Sequence, residues 1–187
     1  RRRFPDGTVI GRSTHTGLDD FFYLPDHAVV RLGLTDDVPV IFGEHVRDYS
    51  TRTNFRVLFP YNSSGEPTPP SSAFSRLAWR YRTALSTRID FQKTLAERGL
   101  RWFDHSMFFA KRFRTWPALS FSNVATHNHF ATSTAGSCYT AHAPLLMLPE
   151  DASEDDHLAL LGVLNSSTAC FWLKQNSHNK GEGGGAR

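Results

Sequence analysis

The first residues to question are His127, Asn128 and His129, whose order matches the lettering of a family of metal-dependent nucleases. Those enzymes need a general-base His and a distant metal-binding His held on a strand-helix unit, whereas neighbours on an extended chain point to opposite sides. The triplet does not predict catalysis. Zinc needs four ligands at workable spacing, and the local set of His127, His129, Cys138 and His142 contains no Cys-x-x-Cys pair and no helical His repeat. No metal is expected. A serine hydrolase has no Gly-x-Ser-x-Gly anchor here, and no Walker-type phosphate loop is present. The Gly181 to Gly185 run follows no strand and opens no helix, so it reads as part of a flexible tail over 181–187.

What the residues do offer is charge. Seventeen of the twenty-one basic side chains are Arg, whose planar fork suits phosphate and guanine edges. Their placement is uneven, with thirteen Arg or Lys against five Asp or Glu between Arg47 and Arg114, while the whole chain carries only +3. This permits a nucleic-acid partner, and a solvated basic face explains it equally well. With 187 residues, 40% hydrophobic and 13% aromatic, the chain has material for a folded body of one domain. No apolar run reaches the roughly 20 residues that cross a bilayer and no signal segment opens the chain, so a cytoplasmic protein with no membrane partner is expected. Cys138 and Cys170 read as reduced structural thiols.

The elements that would position these groups are short. Val9-Ile10, Phe21 to Leu24, Ala28 to Leu32, Val38 to Phe42 and Phe55 to Phe59 read as strands separated by Pro and Gly. Phe74, Leu77, Ala78, Tyr81 and Leu85 recur at helical spacing, with Arg76 and Arg80 on another face and Ser71 or Ser72 as cap. Helical character resumes from Phe91 to Arg98 before Gly99. Further strands are expected at Ala118 to Phe121, Phe130 to Thr132, Ser137 to Thr140 and Ala143 to Leu148, the last typical of a central strand. Ser153 with Asp156 forms a capping box for a helix through Leu164, and a second helical stretch covers Thr168 to Gln175. The result is an α+β (mixed α/β) class, a mixed sheet with flanking helices.

Several phrases, read in order, carry a resemblance. Gly11-Arg12-Ser13-Thr14-His15-Thr16-Gly17 before Asp19-Asp20-Phe21-Phe22, and Pro39 to Phe42 before Gly43-Glu44-His45-Val46-Arg47-Asp48-Tyr49, resemble landmarks in the C-terminal specificity region of Eco/Taq-type adenine methyltransferases. Leu160 to Ser167, Cys170 to Gln175 and Ser177 to Gly181 are similar to the methyltransferases of bacterial phage-exclusion (BREX) systems. The resemblance runs from about Gly7 to Arg187. It implies a target-recognition domain over 1–187, cut from a parent whose catalytic domain lies N-terminal to Arg1. The Asn/Asp-Pro-Pro-aromatic loop and the Gly-rich methyl-donor loop of such enzymes are missing from this sequence, since Asn62-Ser63-Ser64 lacks both prolines. S-adenosyl-L-methionine would therefore belong to the parent, and no cofactor is expected in the segment.

That reading assigns double-stranded DNA as partner, with phosphate contacts from Arg76, Arg80, Lys111, Arg112, Arg114, Lys174 and Lys180. Base reading falls to Asn123, His127, Asn128 and His129 in one loop, and to Arg12, Thr14 and His15 in a turn whose Gly11 and Gly17 permit close backbone approach. The parent's catalytic domain and other phage-exclusion proteins are further expected partners. The rival is a protein-interaction module that meets another defence component or a DNA-mimic antagonist.

Overall fold

The computed structural model describes residues 2–3 (backbone only), 6–47 and 49–177; Lys180 and the 181–187 tail lie outside the described residues. Two sheets organise the chain. The first is antiparallel throughout and runs Arg2–Arg3, Val9–Gly11, Leu145–Met147, Leu119–Phe121, Phe130–Thr132. Leu145–Met147 sits at its centre, as the wholly apolar run around it requires: a strand flanked on both edges and covered on both faces has no polar side.

The second sheet runs Cys138–Tyr139, Asp37–Ile41, Phe55–Leu58, Tyr23–Pro25, and is mixed, because Cys138–Tyr139 lies parallel to Asp37–Ile41 while the other pairs are antiparallel. Alternation along Asp37–Ile41 sends Val40 into one core and Ile41 into another. The Val40 side is a large aromatic core of Phe21, Phe22, Phe59, Phe74 and Phe113 with Leu58 and Leu85. The Ile41 side joins Tyr139, Ala131, Leu145 and Met147, which links the two sheets. A third cluster packs Leu119 and Phe130 on Leu161. An α+β body with helices against its sheets results, in agreement with the sequence reading.

Among the described residues there are seven α-helices: α1 Asp19–Phe22, α2 Asp26–Leu32, α3 Ser72–Arg80, α4 Arg82–Ser86, α5 Ala110–Arg114, α6 Glu154–Leu164 and α7 Ser167–Asn176. Ser71 accepts from Phe74 N at 3.1 Å to open α3, and Ser153 and Asp156 cap each other at the start of α6. No helix among the described residues is long and apolar enough to cross a membrane. Both cysteines are free.

Four expected elements differ. Ala28 to Leu32 is the last part of helix α2 and not a strand. Val29 and Val30 suggest a strand, yet Val29 is buried while Val30 is exposed, and Gly33 closes the helix in the left-handed region at φ 61°. Phe21 and Phe22 end a helical turn before the strand Tyr23–Pro25. The helix expected over Phe74 to Leu85 breaks at Tyr81 into α3 and α4, and Tyr81 is exposed where the helical stripe placed it inward. Finally, Phe91 to Arg98 is a hairpin, Ile89–Asp90 with Lys93–Thr94, followed by a 3-10 turn at Ala96–Arg98. Phe91 and Gln92 both take positive φ, 55° and 61°, the geometry of a two-residue hairpin turn that matches strand twist.

His105 is the polar centre of the aromatic core. Its Nε2 donates to Leu58 O at 2.7 Å; a carbonyl only accepts, so the neutral ring's Nδ1 is an acceptor and Thr14 Oγ1 donates to it at 2.6 Å. Burial lowers its pKa from 6.5 to about 4, against the opposing pull of the Leu58 carbonyl, so the folded state holds the ring neutral. Burial also lowers His15 and His45, in the same direction. Because the unfolded ring binds a proton first, stability is complete above pH 6.5 and is lost as pH falls toward 4. Urea unfolding should therefore give stability lower by about 2 kcal/mol at pH 5 than at pH 7. Equal midpoints at the two pH values would contradict a neutral buried His105.

Candidate nucleic-acid interface

The basic residues that dominate Arg47 to Arg114 do not form one surface. Arg88 is buried, and it donates to the carbonyls of Leu85, Thr16, Trp102 and Asp104 while lying 5.2 Å over the Phe22 ring. Burial lowers its pKa to about 10, which leaves it charged at neutral pH. Arg101 forks onto Asp104 and donates to Thr68 O at 2.6 Å and Pro60 O at 2.8 Å. Arg98 donates to Ser106 O at 2.6 Å, and Arg56 pairs with Asp37. The guanidiniums of Arg88, Arg98 and Arg101 serve loop carbonyls that no ladder satisfies.

Arg112 is a correction to the phosphate set. It is 6% exposed, donates to Arg12 O, and stacks at 4.2 Å over the Phe109 ring. Gly11 exists for this contact: a Cβ there would meet Arg112 Nη1 at 2.7 Å. At Gly17, which has φ 75°, a Cβ would overlap Ser106 Oγ. The close approach that these glycines allow is internal. Thr14 is likewise withdrawn, since it is buried on His105. Arg12 and His15 remain half-buried, with Arg12 Nη2 against Met107 Sδ at 3.9 Å.

Asn128 is the second correction. Its amide donates to Leu164 O and, at 3.4 Å, to Ser166 O, while Asn165 exchanges hydrogen bonds with the backbone of Phe130. The loop is sewn to the junction of α6 and α7. Of its proposed readers, Asn123 and His127 are exposed and His129 is half-buried. Among the described residues no group of three or more His, Cys, Asp or Glu comes together as a metal site requires.

Exposed cations remain on the α3-α4 corner. Arg76, Arg80 and Arg82 are exposed, and among the described residues none of them pairs with a carboxylate. Between them stands Trp79, 63% exposed, with the Arg82 guanidinium 4.6 Å from its ring centre and Trp102 edge-on at 6.5 Å. Phe74 and Ala78 bury the opposite face of α3. An indole face with guanidiniums beside it can hold phosphate through the forks and offer a π-surface to a sugar or base. Trp79 and Arg82 were not singled out from the sequence, although helical spacing from Phe74 places Trp79 off the core stripe. Lys111 pairs with Glu150, Arg114 is exposed beside it, and Lys174 is exposed on α7.

Against known proteins, no family model matches the chain. It is 40% identical over 147 residues, 76% of its length, to the adenine-specific methyltransferase PglX of Streptomyces coelicolor, and it spans 12% of that protein's length. Three quarters of the chain is thus a relative of one stretch of a much longer methyltransferase, which bears out the resemblance read from its sequence.

Replacing Arg112 by Ala strips a donor from the Arg12 carbonyl and uncovers Phe109, so urea denaturation should show a loss of about 2 kcal/mol. Arg114→Ala, at an exposed position, should stay within about 0.5 kcal/mol of the parent sequence. Equal stability of the two variants would place Arg112 on the surface after all.

Proposed function

We propose that this chain, related along 76% of its length to a stretch of an adenine-specific methyltransferase, grips double-stranded DNA and reads a target site on behalf of a methylating domain elsewhere in a larger protein. The observation that carries the reading is the exposed α3-α4 corner, where Arg76, Arg80 and Arg82 surround Trp79 without carboxylate partners among the described residues. Phosphate contacts there fix register. Lys111 and Arg114 on α5 and Lys174 on α7 are further candidate phosphate contacts; Lys180 keeps its place in the proposal on sequence alone. Base reading falls to Asn123 and His127 as the exposed members of their loop, with His129 behind them and Arg12 and His15 at a half-buried turn. The methyl donor, S-adenosyl-L-methionine, would bind the methylating domain.

A second reading, contact with protein, is favoured by a different surface. Leu158 and Val163 on α6 and Phe171 and Trp172 on α7 are exposed, large apolar side chains of the kind that protein partners cover. The methylating domain itself is the occupant that agrees with the first reading; another phage-exclusion protein or a DNA mimic is the alternative.

Binding of a duplex to the full chain, titrated at several salt concentrations, tests the proposal. The double variant Arg76→Ala with Arg80→Ala should lower affinity for every duplex and reduce the slope of log affinity against log salt by about 2, since each lost phosphate contact removes about 0.9. A slope equal to that of the unsubstituted chain would remove the α3-α4 corner from the interface.

A further inference from the structure

Phe91 and Gln92 turn the hairpin that joins Ile89–Asp90 to Lys93–Thr94, and both stand in the left-handed region, at φ 55° and 61°. Asn and Gly enter such a turn readily, and a bulky aromatic does not. Packing gives the two side chains no compensation. Phe91 is 71% exposed and lies outside the hydrophobic clusters, with the Arg98 guanidinium 5.9 Å from its ring centre. Gln92 is exposed, and among the described residues its amide has no hydrogen-bond partner. Ile89 beside them is 70% exposed. Strain held at an exposed tip needs a reason outside the fold.

The stem beneath the tip is fixed at both ends. Arg88, next before Ile89, donates to four backbone carbonyls, and Leu95, next after Thr94, is buried. Glu97 accepts from Thr94 N at 2.7 Å and Thr94 Oγ1 at 2.8 Å, while Arg98 donates to Ser106 O at 2.6 Å and lies 3.8 Å from the Asp90 carboxylate. A rigid stem lowers the ordering cost of binding. Its charges cancel, because Asp90 stands opposite Lys93 in the ladder and Glu97 precedes Arg98. Asp19 and Asp20 line a shallow cleft at the foot of the hairpin, together with His15, Ile89 and Asp90. Phosphate finds no free cation to hold there.

Base edges suit this tip where phosphates do not. The major groove admits a two-stranded ribbon, and there adenine offers N7 and its N6 amine to an amide while thymine offers a methyl group to an apolar side chain. The hairpin also leaves the cationic corner directly, since α4, which carries Arg82, ends at Ser86 and only Thr87 and Arg88 intervene. We infer that the hairpin tip reads an A·T pair from the major groove, with the Gln92 amide donating to adenine N7 and accepting from N6, and Phe91 against the thymine methyl. The inference rests on the duplex-binding reading and adds to it a base reader that works without charge.

A pool of duplexes with a randomised centre, selected by the full chain and then sequenced, tests it. The unsubstituted chain should enrich an A·T pair at one fixed position, and Gln92→Ala should lose about tenfold of that preference while keeping the others. The double variant Phe91→Asn with Gln92→Gly gives the turn residues that accept its geometry, so its urea midpoint should rise. Its affinity for the selected duplex should nevertheless fall about tenfold, with the slope against log salt unchanged because no phosphate contact is lost. Uracil in place of that thymine removes one methyl group, which should weaken the unsubstituted chain about fourfold and leave the double variant unaffected. The same enriched sequences with and without Phe91 and Gln92, or no enrichment at all, overturn the hairpin reader and leave the tip to a protein partner. A chain that binds no duplex removes the grip as well, whereas binding whose salt slope still drops in Arg76→Ala with Arg80→Ala leaves the grip standing without the reader.

Discussion

Backbone carbonyls enclosed by loops must find donors, and in this chain arginine supplies them. Strands here are two to five residues long, and much of the path between Thr87 and Ala118 runs without a ladder. Such a path encloses carbonyl groups that neither water nor a neighbouring strand satisfies. Arg88, Arg98, Arg101 and Arg112 answer the need with forked donors to carbonyls of Thr16, Pro60, Thr68, Leu85, Trp102, Asp104, Ser106 and Arg12. A guanidinium carries five donors and no acceptor, so one side chain can close several gaps at once.

The same constraint decides how much charge is left for a partner. Burying a cation is costly unless its donors are matched, and matching them fixes the side chain in place. An arginine so fixed has no fork to give a phosphate. The chain therefore presents less positive surface than its composition suggests, concentrated where helices rather than loops carry the residues. On α3 the backbone satisfies itself, Phe74 and Ala78 anchor one face, and Arg76 and Arg80 are left to solvent beside Trp79.

Neutral polar groups follow a related rule. Thr14 and His105 occupy the middle of an aromatic core because each completes the other, and the Leu58 carbonyl takes the remaining proton. Asn128 and Asn165 perform the corresponding task where the loop after Leu119–Phe121 meets the turn between α6 and α7. His157 has a match for one ring nitrogen only.

The sequence by itself determined the class of fold, the central place of Leu145–Met147, a helix cap at Ser71 or Ser72, the capping box at Ser153, and the kinship with a methyltransferase segment, because local spacing and order of phrases carry all of these. It misread Ala28 to Leu32, where β-branched residues at Val29 and Val30 outweighed the stop at Gly33, and Phe91 to Arg98, where two positive-φ residues without Gly or Asn left no turn signal. The direction of each arginine was beyond its reach. Arg112 and Arg114 are two positions apart on one short helix, yet one turns inward to a carbonyl a hundred residues away and the other stays outside. Which carbonyls a loop leaves bare depends on chain segments distant in sequence, so only the tertiary structure could assign donors to them and decide which cations remained for a ligand.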